Sequence, residues 1–364
     1  MRVALLTGDH PPDDDGVAGA HAERLACGLA ESADVDVHCF GPPRAELAMV
    51  EAVAGADVVH SHTRYTRLAG HLAKLLLGVP HVITVRGSEQ WTPGERAALL
   101  GADRIIAVSA ALREELLRRH PELNPTRVTV IRDGIDTGTG RPDDGTGELR
   151  RLGVRTEADD VRHTVVCVGG PDRRDGLVHL LRAAPRLRRG TQLVVCAEDP
   201  PSPAADGELT GLAAELRDEG CDLVWTRERP SGRALRQLLT FADVFACPSV
   251  DEPLGLVALE AMACGTPVVA TAVGALLEVV EDGTTGLLVP VTTDGDGTGE
   301  PLQPEIFAKD FADRVNTLLA DPDRAAAMGK AGRRRVEQEF TWASAAEHVR
   351  DVYESVRNTG SVTD

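Results

Sequence analysis

No apolar run in this chain approaches the roughly 18 residues needed to cross a bilayer, so no helical membrane span is expected. The short apolar opening, Met1 to Thr7, meets Gly8, Asp9 and the proline pair Pro11 and Pro12 too early to act as a signal peptide. A cytoplasmic protein without membrane insertion is therefore expected. Positive charge is also short: 39 Lys and Arg face 57 Asp and Glu, for a formal net charge of -18. Binding a phosphate backbone needs a basic footprint, so nucleic acid is not an expected partner, although a local basic pocket stays open. Lysine is scarcest, with Lys74, Lys309 and Lys330 leaving 39 - 3 = 36 arginines, a bias that fits GC-rich codon usage. The seven cysteines are odd in number and scattered, mostly inside apolar runs such as those around Cys167 and Cys196. They read as reduced core residues rather than staples or ligands. No His, Cys and carboxylate group has metal-ligand spacing, so neither a metal nor another bound cofactor is expected.

What is present is a globular composition, 42% hydrophobic and 26% charged over 364 residues, which suits two domains. Short β-branched runs alternate with longer amphipathic stretches, the pattern of parallel strands joined by crossover helices. In the first half, strands are expected at Val3 to Thr7, Val35 to Phe40, Val58 to His60, Val82 to Val85, Ile105 to Val108 and Val128 to Ile131. After a Gly, Asp and Thr-rich stretch from Thr137 to about Asp160, the best linker candidate, strands resume. They fall at His163 to Val168, Gln192 to Ala197, Asp222 to Trp225, Val244 to Cys247, Pro267 to Ala270 and Gly286 to Val289. The expected fold is α/β, two doubly wound Rossmann-like domains facing a cleft, with ligands at the carboxyl ends of the strands. The boundaries drawn are 1–158 and 159–341. An acidic, Gly-rich stretch from Thr292 to Glu300 reads as a surface loop.

The sharpest motif runs from Ser249 to Pro267 and contains Glu252, Gly255 and Glu260. A strand ending at Cys247 feeds a tight turn and then a helix, so the amides of Leu254, Gly255 and Leu256 are expected free at a helix N-terminus, where they suit an anionic phosphate. Glu260 lies one turn beyond Leu256, on the same face, and its carboxylate can accept both hydroxyls of a ribose. A helical glutamate is more commonly a surface acid, but here apolar neighbours flank it.

With these residues the sequence resembles the retaining GT-B glycosyltransferases of family 4, in the glycogen-synthase-like branch that includes α-maltose-1-phosphate synthase. The resemblance covers nearly the whole chain. Besides Glu252 and Glu260 of an E-x7-E motif, it includes Asp9 to Pro12 with Gly16 and Gly19, Val58 to Thr63 with His62, Gly78 to Val82, Val108 to Ala110, Gly134 to Asp136, and Asp282 to Val289. It implies that Glu252 contacts the donor sugar, that Glu260 holds the ribose, and that the amides of Leu254 to Leu256, with Gly16 and Gly169, line the donor site. It also implies a last helix, 342–364, returning to the N-terminal domain. Arg227, after the strand ending at Trp225, is implied near the base. The partners implied are a nucleoside-diphosphate donor and a small-molecule sugar or cyclitol acceptor, without a metal. A homodimer is possible from sequence.

The pattern breaks at several points. Where the family has an arginine after the first glycine of the second domain, and a lysine five positions later, this chain has Gly170 and Asp175. Fixed cations aimed at a departing diphosphate are usually a large catalytic contribution, and an aspartate there repels it. The family's donor-sugar histidine falls on Arg86, its Asn before Gly-Ile-Asp on Asp133, and an aromatic after His-Ser-His-Thr on Arg64. Arg173, Arg174, Arg86 or Arg64 are candidates for replacement charge, since arginine binds phosphate in a bidentate way; Arg173 and Arg174 are equally readable as solvated loop charges. His62 and Arg64 are acceptor-side candidates. Loops between Pro43 and Ala52 and around Trp91 to Leu100 are shorter than in the family, which argues against a long glucan acceptor.

The leading expectation is a retaining nucleotide-sugar-dependent transferase acting on a small molecule, in specialised metabolism, with Glu252, Arg86 and Arg173 as catalytic candidates. One alternative is a pseudo-glycosyltransferase that joins an activated cyclitol to an amino sugar through a C–N bond. Another is a catalytically inactive partner protein with the same fold.

Overall fold

The computed structural model describes residues 1–8, 17–40, 46–87, 91–136, 141–156, 163–170, 172–198, 203–230, 232–293 and 300–360. Asp9 to Pro12, Gly16, and most of the Thr292 to Glu300 stretch lie outside the described residues. Among those described, two parallel six-stranded sheets form. The first contains β1 (Arg2–Gly8), β2 (Asp34–Phe40), β3 (Val58–Ser61), β4 (His81–Val85), β5 (Arg104–Ala107) and β6 (Val128–Val130), in the order β2-β1-β3-β4-β5-β6. The second contains β7 (His163–Val168), β8 (Thr191–Cys196), β9 (Asp222–Thr226), β10 (Val244–Cys247), β11 (Val268–Thr271) and β12 (Gly286–Val289), in the order β12-β11-β10-β7-β8-β9. Central strands such as β4 and β10 are buried throughout, as their unbroken β-branched or apolar runs require when helices cover both faces. Each sheet reverses its winding once, between β1 and β3 and between β7 and β10. Such switch points open a crevice beyond the strands' carboxyl ends.

The chain divides after Gly134, not at 158. Residues Ile135–Glu339 form one compact unit, and Met1–Gly134 with Phe340–Asp364 form the other. The expected linker is partly folded: the short helix Gly147–Arg151 packs on the helix Gly232–Phe241. Its Glu148 amide donates to the buried Gln237 side chain at 3.0 Å, the Asp143 amide donates to Thr240 at 3.0 Å, and Leu149 is wholly buried. The buried side chains of Leu149, Leu152 and Val154, with these and further polar contacts such as the Arg155 amide on Gln192, hold a segment whose composition reads as linker.

The helix Pro322–Glu339 buries mainly small residues, Ala325, Gly329 and Gly332 with Met328 and Val336. Close approach replaces bulk as its packing device.

The last helix, Trp342–Gly360, belongs to the first unit and lies on the helix Val17–Leu29. Its Trp342, Ala346, Val349 and Tyr353 join Leu5, Leu25 and Ile106 in one core. A Cβ at Gly28 would lie 2.8 Å from the Ala346 Cβ and 3.1 Å from the Trp342 carbonyl oxygen. Helix propensity alone favours alanine over glycine by about 1 kcal/mol, but here there is no room. We expect Gly28→Ala to lower stability by about 1 to 3 kcal/mol, read as a fall in the thermal unfolding midpoint; a rise would show that the two helices can separate at no cost.

Candidate active site

In the second unit the loops after β7 and β10 lie directly on one another. Gly176 adopts a left-handed φ of 69°, and a Cβ there would come within 2.0 Å of the Pro248 carbonyl oxygen. The Arg174 carbonyl accepts from the Val250 amide at 2.8 Å. These two loops flank the sheet's switch point, and they carry Gly169, Gly170, Asp175, Glu252 and the amides of Leu254 to Leu256.

The amides expected to be free are in part taken. One Glu252 carboxylate oxygen accepts from the Leu254 amide at 3.2 Å and the Gly255 amide at 2.9 Å, while the Ser249 hydroxyl donates to the other at 3.5 Å. An N–H at a helix start needs an acceptor, and the side chain two residues back supplies it. Glu260, on the half-buried face of the helix Leu256–Ala263, follows one turn later.

The cations sought as replacements have other partners. Arg173 pairs with Glu300 at 2.8 Å and Glu208 at 3.2 Å. Arg174 has longer contacts, to Asp172 at 3.6 Å and Asp251 at 3.8 Å. Both side chains are more than half exposed, so these pairs are weak. Arg227 stacks over the Trp225 ring at 4.5 Å and donates to Thr210. Gly169 and Gly170 follow directly on β7, and Asp175 faces Gly170.

In the first unit, residues from four separate chain segments meet beyond the strand ends. Arg86, after β4, holds Asp133 through two nitrogens at 3.0 and 3.3 Å. His21 donates its Nδ1 proton to the same carboxylate at 3.0 Å. Burial would raise the Asp133 pKa, but the Arg86 charge and the His21 hydrogen bond outweigh it and hold the group far below the usual carboxylate range. Two departures from the family pattern thus answer each other: the arginine in place of histidine is neutralised by the aspartate in place of asparagine. The Arg86 charge, a candidate replacement cation from the sequence, is thus balanced by Asp133 in this structure.

The same guanidinium donates to Nδ1 of His62 at 3.3 Å. Burial, then neighbouring His60 and Arg86, push the His62 pKa well down, so the neutral ring carries its proton on Nε2. Among the described residues that buried Nε2 has no partner. Beneath it lies His60, its ring centroid 4.1 Å away, fixed by Tyr353 at 2.6 Å and Thr84 at 2.7 Å. The returning helix thus reaches the strand end through one phenol. Arg64, by contrast, is turned to Glu95, donating at 2.9 and 3.3 Å. Asp133, Tyr353 and His60 were not expected as site residues; the opposite signs of Arg86 and Asp133 were the one signal that could have joined two of them.

Among the described residues no helix is long and apolar enough to cross a membrane, and no group of three or more His, Cys, Asp or Glu is placed to hold a metal.

Residues 162–331 match the family described as Glycosyl transferases group 1, and residues 40–139 match Glycosyltransferase Family 4. The chain is 42% identical to the α-maltose-1-phosphate synthase of Mycolicibacterium smegmatis, over 98% of this chain and 100% of that protein. It belongs to glycosyltransferase family 4. A D-inositol 3-phosphate glycosyltransferase of Kineococcus radiotolerans is 36% identical over 71% of this chain and 59% of its own length. The fold matches the GT-B glycosyltransferase structures: Anabaena Alr3699/HepE in complex with UDP and glucose, TM-score 0.77 at 19% identity, covering 98% of this chain and 100% of that one. It also matches sucrose-phosphate synthase from Thermosynechococcus elongatus, TM-score 0.76 at 23% identity, covering 99% and 100%. The alignment with the M. smegmatis enzyme runs over 397 positions against 364 residues here, so that relative carries segments this chain lacks.

The buried pair gives a direct test. Asp133→Asn leaves Arg86 as an uncompensated buried charge and should cost about 3 to 5 kcal/mol. The double change Arg86→His with Asp133→Asn, which restores the family's pairing, should recover at least half of that in urea unfolding. Additive losses would show that the two residues act independently.

Proposed function

We propose that this family 4 enzyme transfers a sugar from a nucleoside-diphosphate donor to a small-molecule acceptor with retention of anomeric configuration. The observation that carries the reading is the switch point of the second sheet, where Glu252, the amides of Leu254 to Leu256 and Glu260 follow one another from strand end to helix. Glu260 is positioned one turn into that helix to accept the ribose hydroxyls. The amides at its start are suited to phosphate oxygens, and Glu252 is released from them to meet the donor sugar. Arg173 and Arg174, held only by exposed ion pairs, are able to turn toward the leaving group.

In this reading the acceptor hydroxyl attacks from the face the phosphate leaves, and the departing phosphate oxygen takes its proton. The protein's task is to hold the two charges of that ion pair. His62 serves the acceptor, its Nε2–H offering a donor to a hydroxyl oxygen. The Arg86 and Asp133 pair beside it sums to zero charge, which suits an uncharged polyol group at that point. The missing segments relative to the M. smegmatis enzyme favour a small acceptor over a long glucan, which supports a role in specialised metabolism. Action as a cytoplasmic enzyme, without nucleic acid, bound metal or other cofactor, completes the reading.

Thermal stabilisation by ADP, GDP, UDP and dTDP tests it, because a ligand that binds the native state raises its apparent stability. Stabilisation by one nucleotide is expected. Glu260→Ala should weaken that binding by about 1 to 3 kcal/mol, roughly 5- to 150-fold in Kd. A Kd unchanged in Glu260→Ala would remove the ribose assignment, and no response to any nucleotide would favour the inactive partner-protein reading.

A further inference from the structure

The Asp175 carboxylate accepts from the amides of Gly170 and of Asp172, the latter at 3.2 Å. A Cβ at Gly170 would lie 2.7 Å from Asp175 Oδ2. The two departures at the donor-phosphate loop are therefore in contact: the Asp175 carboxylate lies against the bare face of Gly170, and a side chain there would have to displace it. On the facing loop the Glu252 carboxylate takes the Leu254 and Gly255 amides. Both sets of backbone donors at the switch point are thus satisfied by anions from the chain itself.

We propose that Asp175 is the specificity-determining residue of the donor site: its carboxylate occupies the phosphate position as a built-in anion, and a nucleoside-diphosphate sugar enters with uptake of one proton at Asp175. This rests on the donor-site reading above.

The surroundings support it. Asp172, Arg173 and Arg174 accompany Asp175 on its own loop; Cys167 lies near the end of β7; Cys247, Asp251 and Glu252 belong to β10 and the loop that follows. Arg173 is turned to Glu208 and Glu300, and Arg174 contacts Asp172 and Asp251. Burial first, then the charges of Asp172 and Glu252, push Asp175 up to about 6. A diphosphate arriving beside it adds two negative charges and raises it further. The sign follows: the protonated form binds, so affinity is full below about pH 6 and falls as pH rises through it, by about tenfold per unit.

The test is isothermal titration of UDP-, ADP-, GDP- and dTDP-glucose between pH 5 and 8, ligands whose diphosphate does not titrate in that range. The wild-type Kd is expected to rise about tenfold by pH 7 and nearly a hundredfold by pH 8. Asp175→Asn should bind equally at pH 5 and show no such slope. Identical Kd values for wild type and Asp175→Asn at every pH would overturn the proposal and leave the donor site standing. If Asp175→Asn does not fold, the wild-type protein still decides. At pH 7.5 the binding enthalpy should vary with buffer ionisation enthalpy by close to one proton taken up; zero protons would overturn the proposal. Absence of binding by wild type at any pH would sink both readings.

Discussion

Because every strand of each sheet runs in the same direction, all their carboxyl ends meet along one edge, and the polar groups of distant loops must satisfy one another there. That constraint organises this protein. In the first unit it gathers His62, Arg86 and Asp133, separated by up to 71 positions (133 - 62), around one ionised carboxylate. In the second it stacks the loop after β7 on the loop after β10, so that carboxylates and amides from each find partners at the switch point. A buried charge or an unmet N–H at such an edge costs several kcal/mol, and the chain meets each cost locally.

The site residues divide by how firmly they are held. Asp133 and Arg86 are buried and mutually neutralised, so they set shape and tautomer rather than offer net charge. Arg173 and Arg174 are exposed and held by surface ion pairs, which are weak. Between these extremes lie Glu252 and Asp175, carboxylates bound to backbone donors that suit phosphate equally well. On the donor-site reading proposed above, the exchange of an arginine and a lysine for Gly170 and Asp175 replaces fixed attraction with an internal competitor.

The terminal helix shows how remote sequence reaches chemistry. Tyr353 fixes one nitrogen of His60, whose ring lies under His62, and Arg86 fixes the tautomer of His62 from the side. Each contact is a hydrogen bond or a ring contact between residues that no local pattern links. Packing at Gly28 brings that helix close enough for the phenol to arrive.

The sequence alone determined the twelve strands, the doubly wound class, the family and the motif from Glu252 to Glu260, because these rest on short-range periodicity and on residue spacing along one strand-turn-helix unit. It also marked Arg86, Asp133, Gly170 and Asp175 as departures. Only the tertiary structure decided that these are two contacting pairs, that the amides of Leu254 and Gly255 are occupied, that residues 141–156 fold with the second unit, and that a helix of small residues packs there. Pairing across a parallel sheet depends on which strand ends become neighbours, and a segment's own composition does not encode that. Charge balance in a buried site is a property of the set, and it becomes legible only when the set is assembled.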